Sequence, residues 1–338
     1  MSRTIFRLLA FVIVSGALLA AQEPQYTLKV DVPYIYVDVT VQDAAGQTLN
    51  DLPAEAFELY ENGIRQSIRN FLPVSTPCNV LLLFDRSGST QDKWPLMQRA
   101  VAGFITNLRP QDEIAIASFD SDLEFQQPWT GDRQKALLAL PHLTVGNNIG
   151  ETNFYSAVEQ TLRREFRKVS GRRALVVLTD GRDTSFYKQL VSHDRLTDPK
   201  DERAFQNVLR VARTTRIPTY FIAFNTDRNL EPNTSGGDEY RNLQVIYPNS
   251  DVPDRYLSAV RFRMEQLADA SGGRIVYPAR LQDIVPLYQQ IGRELGTSYS
   301  LGYLSSNTKL DGGLRRIEVR INREGLRVAQ SRTSYYAK

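Results

Sequence analysis

Continuous apolar runs that end in polar loops are the feature that most constrains the fold of this 338-residue chain. Val80 to Phe84 contains only apolar residues, and a Gly/Ser loop follows it before a helical stretch from about Lys93 to Leu108. Ala174 to Leu178 is a second such run. A strand without polar residues is buried on both faces, which is typical of parallel sheets covered by helices. The repeated order of strand, loop and helix therefore predicts an α/β fold with a doubly wound, mostly parallel, Rossmann-like sheet.

The same order of elements continues along the chain to about residue 296. The apolar segments predict further strands at Glu113 to Phe119, Ala174 to Thr179, Thr219 to Phe224 and Arg274 to Tyr277. Apolar residues at helical spacing predict helices at Arg133 to Leu140, Asn153 to Val169, Arg203 to Thr215, Arg255 to Ala270 and Leu281 to Leu295. Two connections, Gly181 to Glu202 and Asn225 to Asp254, are longer than this kind of fold requires.

Alternating apolar and polar residues predict β-strands near both ends of the chain. Tyr26 to Val41 alternates, and Phe57 to Val74 is expected to form a hairpin around Glu61-Asn62-Gly63. The alternation returns at Tyr299 to Leu304, Leu314 to Asn322 and Leu326 to Arg332. Neither set buries an apolar face well alone, so we expect both to pack together. The expected organisation is a signal peptide at 1–21, a β segment at 22–76, an α/β domain at 77–296 and C-terminal strands at 297–338.

The first 21 residues have the three parts of a secretory signal peptide. Arg3 and Arg7 supply the positive start, Leu8 to Val14 is apolar, and small residues lead to Ala20-Ala21. A short membrane anchor is the alternative, but Ser15-Gly16 interrupts an apolar run that is shorter than the roughly 20 residues of a span. We therefore expect signal cleavage, a secreted or periplasmic location, and no transmembrane segment in the mature protein.

Composition argues against several functions. The formal net charge is +3, from 41 basic and 38 acidic residues, and basic runs with interleaved aromatic residues are absent, so we expect no nucleic-acid partner. The single cysteine, Cys78, cannot form an internal disulfide and is expected to be a small buried apolar residue. The motifs G-x-S-x-G, G-x-x-x-x-G-K and G-x-G-x-x-G are absent.

Oxygen-bearing side chains follow the first predicted strand and two later elements. Asp85, Ser87 and Ser89 occupy alternate positions in the loop directly after that strand. Asp180 follows a later strand, and Thr152 lies at the start of a predicted helix. Doubly wound folds bind ligands at the carboxyl ends of their strands. We therefore expect these five residues to converge and to hold one divalent cation.

The donor set indicates which ion this is. Two carboxylates and three hydroxyls favour Mg²⁺, with Mn²⁺ or Ca²⁺ as alternatives, and the lack of nearby His or Cys argues against zinc or copper. Neutral hydroxyl ligands leave the charge of the ion partly uncompensated, so it keeps affinity for an anionic oxygen. An Asp or Glu of another protein supplies such an oxygen, which predicts a binding mechanism.

These residues resemble the metal-ion-dependent adhesion site of the von Willebrand factor type A (VWA) domain. That site has the pattern D-x-S-x-S, then a Thr and then an Asp, and here it reads Asp85-Arg86-Ser87-Gly88-Ser89, Thr152 and Asp180. The resemblance covers residues 77–296, and the flanks, with Phe57 to Gly63 and Tyr299 to Tyr303, are similar to a bacterial secreted subgroup termed VWFA-related. It implies a metal-dependent adhesion module in which the two serines contact the ion, while Thr152 and Asp180 join it directly or through water.

Two other functions remain open from the residues alone. Asp85 begins a loop at the edge of a doubly wound sheet, as the nucleophile of a metal-dependent hydrolase of the phosphatase type does, but Ser87 stands where such enzymes usually have a second aspartate. The other alternative is a scaffold subunit of an envelope assembly, with a structural ion. Neither His142 nor His193 lies in a nucleophile motif, and we expect no enzyme activity.

Three residues near the site have simpler interpretations. The Thr152 hydroxyl is also suited to capping its helix. Asp183 is either a residue that supports the metal ligands or a plain surface charge, and we favour the surface charge. We expect Arg86, in the variable position of the motif, to face solvent.

The two long connections leave the sheet at the proposed metal edge. We expect them to form the walls of a partner site, with contacts from Tyr187, His193, Tyr240 and Tyr247. The alternative is a disordered decoration, which the composition of Pro232 to Gly237 favours.

Overall fold

The structure, a computed structural model, describes residues 34–87, 93–143, 151–226 and 238–337, which contain 14 strands and eight helices. The strands are β1 (Ile35–Gln42), β2 (Phe57–Glu61), β3 (Ile64–Gln66), β4 (Ile68–Leu72), β5 (Cys78–Asp85), β6 (Glu113–Phe119), β7 (Leu123–Thr130), β8 (Arg172–Thr179), β9 (Thr219–Ala223), β10 (Arg274–Val276), β11 (Tyr299–Tyr303), β12 (Leu314–Ile321), β13 (Arg327–Gln330) and β14 (Ser334–Tyr336). The helices are α1 (Trp94–Thr106), α2 (Arg133–Ala139), α3 (Phe154–Arg164), α4 (Thr184–His193), α5 (Arg203–Thr215), α6 (Asp238–Ile246), α7 (Val252–Ser271) and α8 (Ile284–Thr297). The expected signal peptide, the start of the first expected strand, Ser89 and the stretch Pro232 to Gly237 lie outside the described residues.

Strands β5 to β10 form one sheet in the order β10-β9-β8-β5-β6-β7. All neighbours pair in parallel except β6 and β7, which are antiparallel. Successive side chains of a strand point to opposite faces, so Val80, Leu82 and Phe84 lie in one apolar core and Leu81 and Leu83 in the other. This arrangement explains the uninterrupted apolar run and confirms the predicted doubly wound α/β fold.

Helices cover both faces of this sheet. Residues of α1, α2 and α8 pack in the core that contains Val80, and residues of α3, α4, α5 and α7 pack in the core that contains Leu81. In α5 the buried residues Phe205, Val208 and Ala212 recur at helical spacing, which is why the sequence predicts this helix well. Within the described ranges, no helix combines the length and the apolar character that crossing a membrane requires.

Two helices lie where the sequence patterns predict only long loops. Helix α4 lies inside the connection Gly181 to Glu202, and α6 lies inside Asn225 to Asp254, so the expectation of extended loops is wrong for these residues. The buried apolar residues of α4 are Phe186 and Leu190, and α6 fully buries Leu243. So few apolar positions do not produce a distinctive helical period.

Strand β7 is a third element that the patterns do not predict. It lies at the edge of the sheet, and its residues are half-buried or exposed, so it lacks the continuous apolar run of the inner strands. It also contains Pro128, which an edge strand tolerates because one side of its backbone has no partner strand.

The strands near the two chain ends form two four-stranded sheets, β13-β1-β11-β4 and β14-β12-β2-β3. Each sheet combines strands from before and after the α/β region, since β1 pairs with β11 and β2 pairs with β12. Both sheets contribute to one apolar core, in which the rings of Phe57 and Tyr299 are 4.9 Å apart between centroids. We call this part the β-sandwich.

The expected hairpin at Phe57 to Val74 divides between the two sheets. Asn62 and Gly63 both have positive φ angles, 48° and 81°, as a type I′ hairpin turn requires. After the turn the strand is interrupted at Ser67. As a result, β3 pairs with β2, while β4 pairs with β11 in the other sheet. A strand that changes sheets forms a corner of the sandwich.

Arg109 joins the β-sandwich to the α/β region. Its guanidinium donates to the carbonyl oxygens of Val74 and Thr76 and forms an ion pair with Asp112 (2.7 Å). Asp112 also accepts a hydrogen bond from the backbone N–H of Cys78 (2.8 Å). The Cys78 side chain is buried, as expected, and burial raises the pKa of its thiol to about 11.

Candidate functional site

Asp85 is the last residue of β5 and lies fully buried at the carboxyl edge of the sheet. Its Oδ1 accepts a hydrogen bond from the backbone N–H of Ser87 (2.9 Å), and its Oδ2 accepts one from the hydroxyl of Thr179 (2.7 Å). Burial, and then the negative charge of Asp180, raises the pKa of Asp85 to about 7. The carboxylate is therefore held in a fixed orientation at a place that favours added positive charge.

Asp180 follows β8, the strand that pairs in parallel with β5, and is 2% exposed. The Thr179 hydroxyl connects the two strand ends, because it donates to Asp85 and accepts from the N–H of Gly181 (2.8 Å). Gly181 has a φ of +76°, and a Cβ there would lie 2.3 Å from the sulfur of Met264, so glycine avoids both backbone strain and a clash at this turn. The two carboxylates thus lie on adjacent strand ends.

Thr152 and Asn153 belong to a segment that runs along the same carboxyl edge of the sheet. The N–H of Thr152 donates to the hydroxyl of Thr184 after β8 (2.8 Å), and the N–H of Asn153 donates to the carbonyl of Asp120 after β6 (2.8 Å). Because β5 lies between β6 and β8, this segment passes over the strand end that carries Asp85. The N-cap residue of α3 is Asn153, so the alternative that Thr152 caps this helix is wrong.

Ser87 is half-buried in the loop after β5, and its side chain hydrogen-bonds the Asp85 carboxylate. Ser89, the fifth expected ligand, lies outside the described residues. In the part of the chain that the structure describes, no group of three or more His, Cys, Asp or Glu residues is placed to hold a metal ion. A cation at this edge would therefore depend on hydroxyl as well as carboxylate oxygens, the donor set that Mg²⁺, Mn²⁺ and Ca²⁺ accept.

Arg86 does not face solvent as expected. Its side chain is 14% exposed, and its guanidinium forms ion pairs with Asp120 (3.3 Å) and Glu124 (2.6 Å). The interpretation was wrong because these two acidic residues come from β7 and the turn before it, which the sequence patterns do not reveal.

Asp183 is not a surface charge either, since it is 4% exposed. One oxygen of its carboxylate accepts from the N–H of Ser185 (3.0 Å) at the start of α4, and the other accepts from the N–H of Tyr155 (3.0 Å) in α3. Asp183 therefore caps one helix and joins it to another, beside the site.

Arg182 is a residue of the site that the sequence analysis does not identify. It is 4% exposed, its Nη1 lies 3.4 Å from Oδ2 of Asp180, and its Nη2 donates to the carbonyl of Asn225 (3.3 Å). The only sequence signal for this role is its position two residues after Asp180. Its burial depends on chain segments that are distant in sequence.

The four expected partner contacts lie on α4, on α6 and directly after α6. Tyr187 packs edge-on against a buried tyrosine of α7 (6.2 Å between centroids), the hydroxyl of Tyr240 bonds a carboxylate of α7 (2.8 Å), and Tyr247 is half-buried against the core. His193 is exposed at the far end of α4, about 14 Å along the helix from Thr184. The tyrosines thus pack helices together, and the role of all four in binding a partner stays a prediction.

Comparison with known families supports the resemblance. The family model described as the von Willebrand factor type A domain matches residues 79–270. This range contains Asp85, Thr152 and Asp180 as well as the strands and helices that position them. No curated protein matches the chain.

Several solved structures are similar to this chain. An aerotolerance-related membrane protein from Bacteroides fragilis is 16% identical, with 64% of this chain and 98% of that chain covered and a TM-score of 0.44. A von Willebrand factor type A protein from Catenulispora acidiphila is 11% identical, with 91% and 75% covered and a TM-score of 0.45. The vWF domain of the type V pili tip protein Mfa5 from Porphyromonas gingivalis is 11% identical, with 65% and 96% covered and a TM-score of 0.42.

Proposed function

Because the chain belongs to the family of von Willebrand factor type A domains, we propose that it is a secreted or periplasmic protein-binding module of the adhesion type, and not an enzyme. It binds an Asp or Glu of another protein by means of one divalent cation. The observation that carries this proposal is the pair of buried carboxylates, Asp85 and Asp180, on adjacent strand ends at one edge of the sheet.

Asp85, Ser87, Ser89, Thr152 and Asp180 are the residues that would hold the ion. Mg²⁺ suits this oxygen donor set, and Mn²⁺ and Ca²⁺ are the alternatives. The raised pKa of Asp85 supports the fit, because two buried carboxylates next to each other are stabilised by an added cation. When bound, such an ion supplies Lewis acidity toward an anionic oxygen. The protein fixes the orientation of the Asp85 carboxylate, since Ser87 and Thr179 both donate hydrogen bonds to it.

Cation binding is tested by titration calorimetry of residues 22–338 with Mg²⁺, Mn²⁺ and Ca²⁺. We expect Asp180→Asn to weaken binding at least tenfold, since it removes one of two charged ligands. Asp122→Asn is the matched control, because Asp122 is an exposed carboxylate at the same edge of the sheet and lies outside the proposed ligand set. It is expected to leave the affinity nearly unchanged. Failure of the folded wild type to bind any of these ions would refute the proposed function.

The proposed mechanism requires the bound ion to keep one coordination position for the carboxylate of the partner. Mn²⁺ tests this, because water bound to it at that position accelerates the relaxation of solvent protons. A peptide that contains a single Glu should displace this water and lower the relaxation rate, whereas the same peptide with Gln should not. An ion that binds but does not respond to the Glu peptide is enclosed by the protein. That result would favour the structural ion of a scaffold subunit over a partner-binding site.

A further inference from the structure

The guanidinium of Arg182 is a buried positive charge directly beside the candidate cation site. Among the described residues its ion-pair partner is Asp180, at 3.4 Å between Nη1 and Oδ2, and both side chains are less than 5% exposed. Its Nη2 donates to the carbonyl of Asn225, whose backbone has a φ of +50° after β9. Nε and Nη1 have no hydrogen-bond partner among the described residues. Arg182 is thus held by charge more than by a complete set of hydrogen bonds.

A second carboxylate, Glu239 of α6, lies near enough to Arg182 to attract its charge. Glu239 accepts a hydrogen bond from the hydroxyl of Tyr256 (2.7 Å). Burial raises the pKa of Glu239 to about 7, while the positive charge of Arg182 acts in the opposite direction. A guanidinium stays protonated in proteins, so Arg182 is a fixed positive charge beside Asp180.

We propose that Arg182 is the resident counter-cation of this site: it balances the charge of Asp180 when no divalent cation is bound, and it weakens the binding of that cation. This inference rests on the proposed function, because it concerns the same site. A buried carboxylate without a nearby positive charge destabilises the folded state, and Arg182 prevents this for Asp180. Its charge also repels a divalent cation that binds to the same carboxylate.

The two roles of Arg182 have opposite consequences when its charge is removed. The cation-free protein becomes less stable, because Asp85 and Asp180 then lie side by side without the guanidinium. The divalent cation binds more tightly, because the guanidinium no longer competes with it for Asp180. A residue that only supports the local fold would lower stability without tightening cation binding, so the second effect separates a counter-cation from a purely structural arginine.

The test uses Arg182→Gln and Arg182→Lys in the full mature chain. Thermal unfolding in chelator measures the cation-free stability, and calorimetry with Mn²⁺ measures affinity. We expect Arg182→Gln to unfold at a lower temperature and to bind Mn²⁺ at least tenfold more tightly, and Arg182→Lys to bind like the wild type. If Arg182→Gln does not fold, Arg182→Met replaces it, since an apolar side chain of similar length leaves no unpaired amide in the buried position.

Arg315→Gln is the matched control, because Arg315 is a buried guanidinium paired with Asp311 (3.1 Å) in the β-sandwich and lies outside the proposed site. It should leave the Mn²⁺ affinity within about twofold of the wild type. Equal or weaker Mn²⁺ binding by Arg182→Gln, or by Arg182→Met where it replaces Arg182→Gln, would overturn this inference while leaving the proposed function intact. If neither the wild type nor any variant binds Mn²⁺, the proposed function fails, and this inference fails with it.

Discussion

Replacing Asp85 by asparagine is expected to stabilise the cation-free protein and to abolish cation binding. The pKa of Asp85 is about 7 in the folded protein, against an ordinary value of 3.8. A difference of this size means that ionised Asp85 disfavours the folded state by roughly 4 kcal/mol above pH 7. Asparagine has the same shape and no charge, but its NH₂ group would then face a donor of Ser87 or Thr179, which costs about 1–2 kcal/mol.

The effect should depend on pH in a defined direction. Asp85 takes up a proton in the folded protein at a higher pH than in the unfolded chain, so stability rises as the pH falls from about 7 toward 4. Between pH 8 and pH 5 the wild type should gain about 3 kcal/mol from this residue. Asp85→Asn should therefore be roughly 2–3 kcal/mol more stable than the wild type at pH 8 and about equally stable at pH 5.

Thermal unfolding in chelator, followed by circular dichroism, measures this difference. A gain of 2–3 kcal/mol corresponds to a rise in Tm of about 5–10 °C for a protein of this size. Asp122→Asn serves as the control for loss of an exposed charge at the same edge. The reasoning is refuted if Asp85→Asn is less stable than the wild type at pH 8, or if its advantage is the same at both pH values.

Three further predictions concern contacts around the site and in the β-sandwich. In the wild type the buried Glu202 carboxylate lies 2.7 Å from the Arg263 guanidinium, and Arg263→Met removes this charge partner. The variant should lower the free energy of unfolding in urea by about 3–5 kcal/mol, and adding Glu202→Gln should restore most of this loss. No recovery in the double variant would contradict this. Tyr299→Phe removes a hydroxyl that makes two 2.9 Å backbone hydrogen bonds, and thermal unfolding should show a loss of about 1–3 kcal/mol; no loss would mean that water replaces both bonds. Thr184→Val, but not Thr184→Ser, removes the acceptor for the Thr152 N–H and should weaken Mn²⁺ binding in calorimetry, whereas equal affinities would separate Thr152 from the site.

The α/β fold was predictable because its central strands are buried on both faces. Continuous apolar runs such as Val80 to Phe84, bounded by polar loops, are typical of strands covered on both sides, and the helices between them bury broad apolar faces. The positions of Asp85 and Asp180 follow from the same logic, since the residues directly after parallel strands meet at one edge. The elements that the sequence did not predict are those with few buried apolar residues, namely β7, α4 and α6.

The side chains that surround Asp85 and Asp180 were harder to predict from the sequence than the positions of these two residues. Asp183 and Arg86 look like ordinary surface charges in the sequence, and their burial depends on partners that other elements supply. Arg182 is the clearest case, because its neighbours are Asp180 in the same turn but Asn225 and Glu239 from later segments. Charge balance in a buried site is a property of the whole arrangement, so no local pattern reveals it.

Arg332 offers a test of how the β-sandwich and the α/β region support each other. It follows β13, and its Nη2 donates to the carbonyl of Asp269 (2.7 Å) near the end of α7, an oxygen that also accepts from the N–H of the capping residue Gly272 (3.3 Å). Helix α7 ends at Gly272, which has a φ of +88°, and a Cβ there would lie 2.7 Å from the same Nη2.

Gly272→Ala should therefore destabilise the protein in two ways, by strain at a positive φ and by displacing the Arg332 guanidinium from the Asp269 carbonyl. In an Arg332→Met background only the strain remains, so Gly272→Ala should cost about 1 kcal/mol less there than in the wild type. Urea denaturation of the wild type, both single variants and the double variant measures this coupling. Additive effects would mean that Arg332 does not stabilise the junction through the end of α7.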